Sequence, residues 1–298
     1  MDTEYHINLV RRDPSSVKKA QSKSRYERTP NDLVLIQQAE KLYPSVRSAM
    51  LDLVKDGDYK KYISSIDDYD AFYWEQAHKG DQSNIYAYPK IKIGPSWIEQ
   101  IWAPVFERVR LRLIEHWTHT ENNICLLQNT TVVENVSKGG NIGNKDVDGG
   151  VAIKVDINGK TYRMPMVVAE MKGGHMCKTI TTQVDAIVRR FKNMNPNVLA
   201  FAITDNQAST GKKVLIDTVF GSGGILVIQR GQNHVRETHP KLNPKMFKMV
   251  EDVSVNYLKT KTLINFNAVK PKDHGKVFLR ECIDNDGYYI PNDLKQFM

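Results

Sequence analysis

Cysteine is scarce in this chain: Cys125, Cys177 and Cys282 are three in 298 residues, widely spaced and odd in number. That pattern excludes a disulfide framework and fits a reducing compartment in which the thiols are ordinary buried side chains. Long apolar runs are missing too. No stretch approaches the roughly 20 residues of a bilayer-spanning helix, and the opening segment MDTEYHINLVRRDPSS carries charge throughout instead of a signal-peptide core. A cytoplasmic protein with no membrane partner is therefore expected. The absence of a repeat period and of low-complexity tracts removes solenoids and propellers. Nucleotide-cradling loops fail as well: around Ser209-Thr210-Gly211-Lys212-Lys213, Asn206 stands where a phosphate loop needs its first glycine and Lys213 where it needs a hydroxyl. Gly221-Ser222-Gly223-Gly224 precedes a strand instead of joining strand to helix, so no nucleotide cofactor is expected. His116, His119 and Cys125 lack the fourth ligand that structural zinc requires.

What is present is positive charge and a sufficient core. Lys and Arg number 42 against 34 Asp and Glu, a net charge of +8, and 41% of residues are hydrophobic. A basic balance favours a polyanionic partner, since each phosphate neutralised releases condensed counterion. Arg11, Arg12, Lys18, Lys19, Lys23, Arg25 and Arg28 crowd one segment with few apolar neighbours, the signature of a basic arm.

Periodicity divides the chain into a basic arm and helical region over 1–95, an α/β core over 96–235 and a basic helical region over 236–298, together forming one compact domain. In the first, Leu33, Leu35, Ile36, Ala39 and Leu42 predict a helix from Asn31 to Pro44, and a second is predicted from Val46 to Leu53. Residues 57–95 show no clean period and are read as loops and short helices. Ser96 is placed to cap a long helix in which Ile98, Ile101, Trp102, Val105, Val109, Leu113 and Trp117 share one face, kinked at Pro104. Strands are predicted over 124–134, 150–157 and 161–172, the last two joined by an Asn158-Gly159 hairpin turn. A helix over 179–194 follows, then the fully apolar strand VLAFAIT at 198–204 and a second buried strand at 224–230. The expected fold is α/β, with a mixed central sheet of about five strands flanked by helices. Beyond 240 the chain reads as basic and helical, with an irregular tail from 285.

The chemistry is concentrated in KDVDGGVAIKV, the hairpin, and VVAEMK. If the second hairpin strand returns beside the first, Asp148 and Glu170 converge at one end of the pair. Glu170 and Lys172, two apart on a strand, project from one face while Met171 turns to the other. Met166 to Ala169 are apolar, so this is a buried strand whose terminal Glu and Lys would be costly without something to satisfy them. Two hard carboxylates suit Mg²⁺, which can bridge a phosphate oxygen and activate water, and an ammonium can stabilise charge on phosphorus or help orient or deprotonate that water. Asp146 competes with Asp148 for the first position, being two residues earlier and on the same side of an extended strand. Glu107 and Glu115 on the long helix are candidates for an outer carboxylate.

Asp148-Gly149-Gly150 opening one strand and Val168-Ala169-Glu170-Met171-Lys172 closing the next resemble the signature of PD-(D/E)xK nucleases, in particular the EcoRI-like type II restriction endonucleases. The resemblance covers residues 147–172, with Val147 in place of the motif's proline. It implies a restriction-endonuclease-like core, Asp148 and Glu170 as Mg²⁺ ligands with the Met171 carbonyl completing the site, and Lys172 positioning the nucleophile. The activity implied is site-specific hydrolysis of double-stranded DNA to 5′-phosphate ends by a homodimer, because one site cuts one strand. In helix 179–194, Ala186-Ile187-Val188-Arg189 resembles the family's recognition segment, with Val188 where an acidic residue is expected, so the recognised sequence does not carry over. Thr181, Gln183, Asp185, Arg189 and Arg190 on that helix, with Lys145 and His175 beside the core, are the candidate DNA contacts. Two other readings of the same residues are a structure-specific repair or recombination nuclease and a non-catalytic DNA-binding protein with Glu170 and Lys172 as a structural ion pair.

Overall fold

The computed structural model describes residues 30–78, 97–117, 123–136, 142–157, 160–176, 178–194, 196–207, 223–230, 240–261, 288–289 and 296–297. The basic arm, the hairpin turn at 158–159 and the Ser96 cap lie outside them.

Six strands form one sheet in the order β1 (Ile124–Val136), β2 (Ile142–Ile157), β3 (Lys160–Met176), β4 (Leu199–Gln207), β5 (Ile225–Ile228) and β6 (Tyr288–Tyr289). The pairs β1–β2 and β2–β3 are antiparallel, β3–β4 and β4–β5 parallel, and β5–β6 antiparallel. The mixed α/β architecture and the five main strands are as expected; the two-residue β6 extends the edge within the tail read as irregular. The parallel step needs a crossover, and the helix Lys178–Met194 supplies it.

Both faces of the sheet are covered, which is why β4 is buried from Leu199 through Thr204. On one face Val184, Ile187, Val188 and Phe191 of that crossover helix pack on Val168, Ala200, Ala202 and Leu226. On the other, Ala169, Met171, Phe201 and Val227 meet the helix Trp97–His116. That helix is more enclosed than an amphipathic stripe suggests: between Trp97 and Glu107 every residue except Glu99 is buried. Three further helices explain this, since Pro30–Asp56, Tyr59–His78 and Pro244–Lys259 close over its outer side. In chain order these helices are α1 (Pro30–Asp56), α2 (Tyr59–His78), α3 (Trp97–His116), α4 (Lys178–Met194) and α5 (Pro244–Lys259).

Two expectations in the N-terminal region are corrected. The helix predicted to stop at Pro44 and restart at Val46 is one 27-residue helix that runs through the proline. Pro44 forfeits a rung of hydrogen bonding, yet Tyr43, Val46, Ala49, Met50 and Leu53 are buried along one side, and Ser45 Oγ donates to the Leu42 carbonyl at 2.7 Å. Packing outweighs the lost rung. Residues 59–78, read as loops, form the 20-residue α2. Tyr59, Tyr62, Ile63, Ile66 and Tyr69 recur every three or four residues and are buried, so the period was present but carried by tyrosines. Among the described residues no helix is long and apolar enough to cross a membrane.

Candidate active site

The β2–β3 ladder begins at Gly149 opposite Ala169 and runs from there toward the hairpin turn. Past Gly149, β2 pairs with β1 from Val147 to Ile142, while β3 past Ala169 pairs with β4. The sheet therefore forks at Asp148 and Glu170. Had the ladder continued, Met171 would face Val147. Instead the Met171 N–H donates to Asp148 Oδ2 at 2.7 Å, so a side-chain carboxylate takes the place of the departed strand's carbonyl.

The two glycines make the fork possible. Gly150 has φ +138°, and a Cβ there would lie 2.0 Å from the Val167 carbonyl oxygen, within the bulge where β2 and β3 shift register. A Cβ on Gly149 would meet Met171 Cε at 2.5 Å and Phe106 at 3.2 Å. β1 and β2 also change which residues face α4 here: Cys125 and Leu127 give way to Val132, and Ala152 to Val147. Bulges commonly re-aim side chains in this way beside active sites.

Lys172 Nζ lies 2.5 Å from Glu170 Oε1 and 3.5 Å from Asp148 Oδ2. One ammonium thus reaches an oxygen of each carboxylate, which brings the two acids and the lysine to one place in the sheet. Glu170 is 8% exposed, and its pKa is raised first by burial and then by the Asp148 charge, which Lys172 and Lys145 only partly offset. Burial works against the Lys172 charge, but the attraction of Asp148 and Glu170 outweighs it and raises its pKa above the ordinary lysine value. Lys172 is thus held as an ammonium, which suits charge stabilisation and argues against deprotonating water.

The other candidates fall in different places. Asp146 is exposed and accepts a 2.5 Å hydrogen bond from Thr131 Oγ1, its cross-strand neighbour, and makes no ion pair with Lys172 among the described residues. Glu107, the candidate outer carboxylate, does not face solvent as helix acids usually do: it is fully buried and joined to Arg110 by two 2.8 Å hydrogen bonds. Glu115 is exposed, roughly 24 Å along α3 from Glu99 at 1.5 Å per residue. On α4, Gln183 is exposed; Asp185 holds Arg189 at 2.8 Å, and Glu134 of β1 holds Arg190 at 2.8 Å. Both arginines are more than half exposed and keep further N–H donors beyond these pairs. Lys145 is half-buried and its charge acts on Glu170. The side chains of His175 and Thr181 lie outside the described residues.

Sequence reasoning missed Asn129 and Glu99. Asn129 lies between the pairs Gln128–Gly149 and Thr130–Val147, thus across from Asp148, with φ +46°. Its side-chain amide donates to Glu99 Oε2 at 2.6 Å, tying the first turn of α3 to the fork. The one available signal was the residue type, since asparagine tolerates the left-handed region better than other side chains with a Cβ.

A divalent cation can be tested against these atoms. No group of three or more His, Cys, Asp or Glu is present among the described residues. Two carboxylates without nitrogen or sulfur fit a hard ion that keeps several waters, as Mg²⁺ does, and do not fit a closed zinc site.

No protein-family model matches the chain, and no curated protein matches it. Among solved structures, the native BbvCI A2B2 tetramer is similar at 17% identity and a TM-score of 0.46, over 83% of this chain and 92% of that one. BbvCI is a type II restriction enzyme. Chains alike at that level share an arrangement of elements at most, so the chemistry must be argued from the site's own atoms.

Proposed function

We propose that this chain is a Mg²⁺-dependent endonuclease that hydrolyses phosphodiester bonds in double-stranded DNA, acting as a type II restriction enzyme. The observation that carries this reading is the Lys172 ammonium reaching both Asp148 and Glu170 at the fork of the sheet. Metal-assisted phosphodiester hydrolysis can use carboxylates to hold the ion and a positive charge to stabilise the phosphoryl oxygens, and these three groups are of the kinds it would draw on.

Asp148, Glu170 and the Met171 carbonyl would hold the ion. When bound it supplies Lewis acidity toward a phosphate oxygen and a more acidic water. The protein's own part is positional and electrostatic. The Met171 N–H fixes the Asp148 carboxylate at 2.7 Å, so the ligand is oriented before substrate arrives. Lys172, kept protonated by its carboxylate neighbours, can place positive charge against the oxygens of the phosphoryl group as negative charge builds there. Lys145, on the β2 side of the fork, can hold a neighbouring phosphate. The net charge of +8 favours approach of the duplex. A homodimer, with one site for each strand, would account for double-strand cleavage leaving 5′-phosphate ends.

The test is incubation with plasmid DNA and Mg²⁺, repeated with Lys172→Ala and with EDTA. Discrete fragments lost in both controls support restriction, and smearing supports a structure-specific nuclease. Retardation without cutting supports a binding protein in which the 2.5 Å Glu170–Lys172 pair is structural, and overturns the enzymatic reading.

A further inference from the structure

The carboxylates that a divalent ion would draw on are already engaged by a charge belonging to the chain. Lys172 Nζ hydrogen-bonds Glu170 Oε1 at 2.5 Å and stands 3.5 Å from Asp148 Oδ2, while its side chain keeps 28% of its surface in contact with solvent. A metal ion binds carboxylate oxygens at about 2 Å. An ammonium at hydrogen-bonding distance from the same carboxylates would then be repelled by the ion's double positive charge. The ion and the ammonium therefore compete for the negative charge of the same two carboxylates. Only the ammonium can leave on a tether, and its partial exposure gives it a way out.

We propose that Lys172 is an internal competitor for the divalent cation: the ion takes the carboxylates from the ammonium, which turns outward to where a phosphate would lie. The proposal rests on the nuclease reading and adds a regulation to it. Affinity for the ion in the protein alone is held down by the lysine, and the same exchange delivers a positive charge to the substrate side. Among the described residues, no basic side chain other than Lys172 makes an ion pair with the buried Glu170. Arg189 and Arg190 are engaged by Asp185 and Glu134, and Lys145 acts on Glu170 only through its field.

The experiment is calorimetric titration of Ca²⁺ and Mn²⁺ into the full chain without DNA, comparing the native protein, Lys172→Met and Glu170→Gln. Lys172→Met keeps most of the stem and removes the charge, and its affinity for either ion is expected to rise at least about ten-fold. Glu170→Gln is expected to lose measurable binding. A second measurement needs no variant at Lys172: acylation of Lys172 by an amine-reactive ester, read by peptide mass spectrometry, should quicken when Ca²⁺ is added to the native protein. It should not change in Glu170→Gln. If Lys172→Met binds the ions no more tightly than the native chain, and acylation is indifferent to Ca²⁺, the competition is overturned while the cation site stands. If neither the native chain nor Lys172→Met binds either ion, the nuclease reading itself falls.

Discussion

Glu170 and Glu251 are both buried glutamates beside basic side chains, 8% and 2% exposed, yet their surroundings drive them in opposite directions. At Glu251 burial raises the carboxyl pKa, but hydrogen bonds from Arg108 at 2.8 Å, Arg112 at 2.9 Å and Tyr59 outweigh it and leave the group below the ordinary carboxylate range. At Glu170 burial and the Asp148 charge together overcome a single lysine, and the pKa ends above it. One cluster has more donors than it needs and ties α2, α3 and α5 together. The other has two acids for one ammonium. Surplus negative charge costs stability, and structures retain such a deficit where a cation or a substrate makes it good.

The largest expected effect separates the two by activity. Glu170→Gln removes the charge at the fork and should reduce Mg²⁺-dependent plasmid cleavage at least about a thousand-fold, with a melting temperature equal to or above that of the native chain. Glu251→Gln, which keeps the shape but halves the acceptor capacity, should leave cleavage per folded molecule unchanged. Equal loss of cleavage in the two variants would erase the distinction. Next in size is stability. Glu251→Ala leaves Arg108 with the Leu53 and Val54 carbonyls and Arg112 with Asp252, and should cost about 3 kcal/mol, the low end for breaking a buried pair because both arginines are partly exposed and keep these acceptors. Urea unfolding followed by circular dichroism measures it, and a cost below about 1 kcal/mol would put Glu251 in the class of surface pairs.

How far these clusters could be read in the sequence differs for a physical reason. Asp148, Glu170 and Lys172 sit on neighbouring strands joined by one hairpin, so strand alternation and an Asn-Gly turn suffice to bring them together. The fork itself was not legible, because it depends on Gly150 taking φ +138° and on Met171 finding a carboxylate in place of a strand. Without the fork, Asp146 and Asp148 look equivalent. Glu107 looked like an ordinary helix acid, since nothing local says that α1, α2 and α5 will enclose α3. Glu251 gave no signal at all. Its partners Arg108 and Tyr59 are 143 and 192 residues away in sequence, and only the packing of three helices makes them neighbours. The Asn129–Glu99 tie is of the same kind, being set by how α3 docks on the sheet.

A smaller effect probes how redundant the Glu251 cluster is. Tyr59→Phe removes one hydrogen bond to a charged acceptor, worth about 1.5 kcal/mol at most when two arginines remain. A loss as large as that of Glu251→Ala would mean that the hydroxyl, not the guanidinium pair, holds the carboxylate down.

The smallest effect, and the one that tests the comparison most directly, is its pH dependence in EDTA. A carboxyl lowered by folding contributes stability that is complete above the ordinary value near 4.3 and is lost as the pH falls through the lower folded value. The native chain should therefore be more stable than Glu251→Gln at pH 7, the gap closing only in strong acid. A carboxyl raised by folding does the reverse: folding is favoured with the proton on, and that advantage is lost as the pH rises from the ordinary value through the higher folded one. Glu170→Gln, permanently neutral, should then exceed the native chain in stability at pH 7, and the gap should shrink as the pH drops toward 4. Urea midpoints at pH 7, 5.5 and 4 measure both gaps. If they share one sign at pH 7, the two glutamates are held alike, and the case for Glu170 as a site kept short of positive charge is lost.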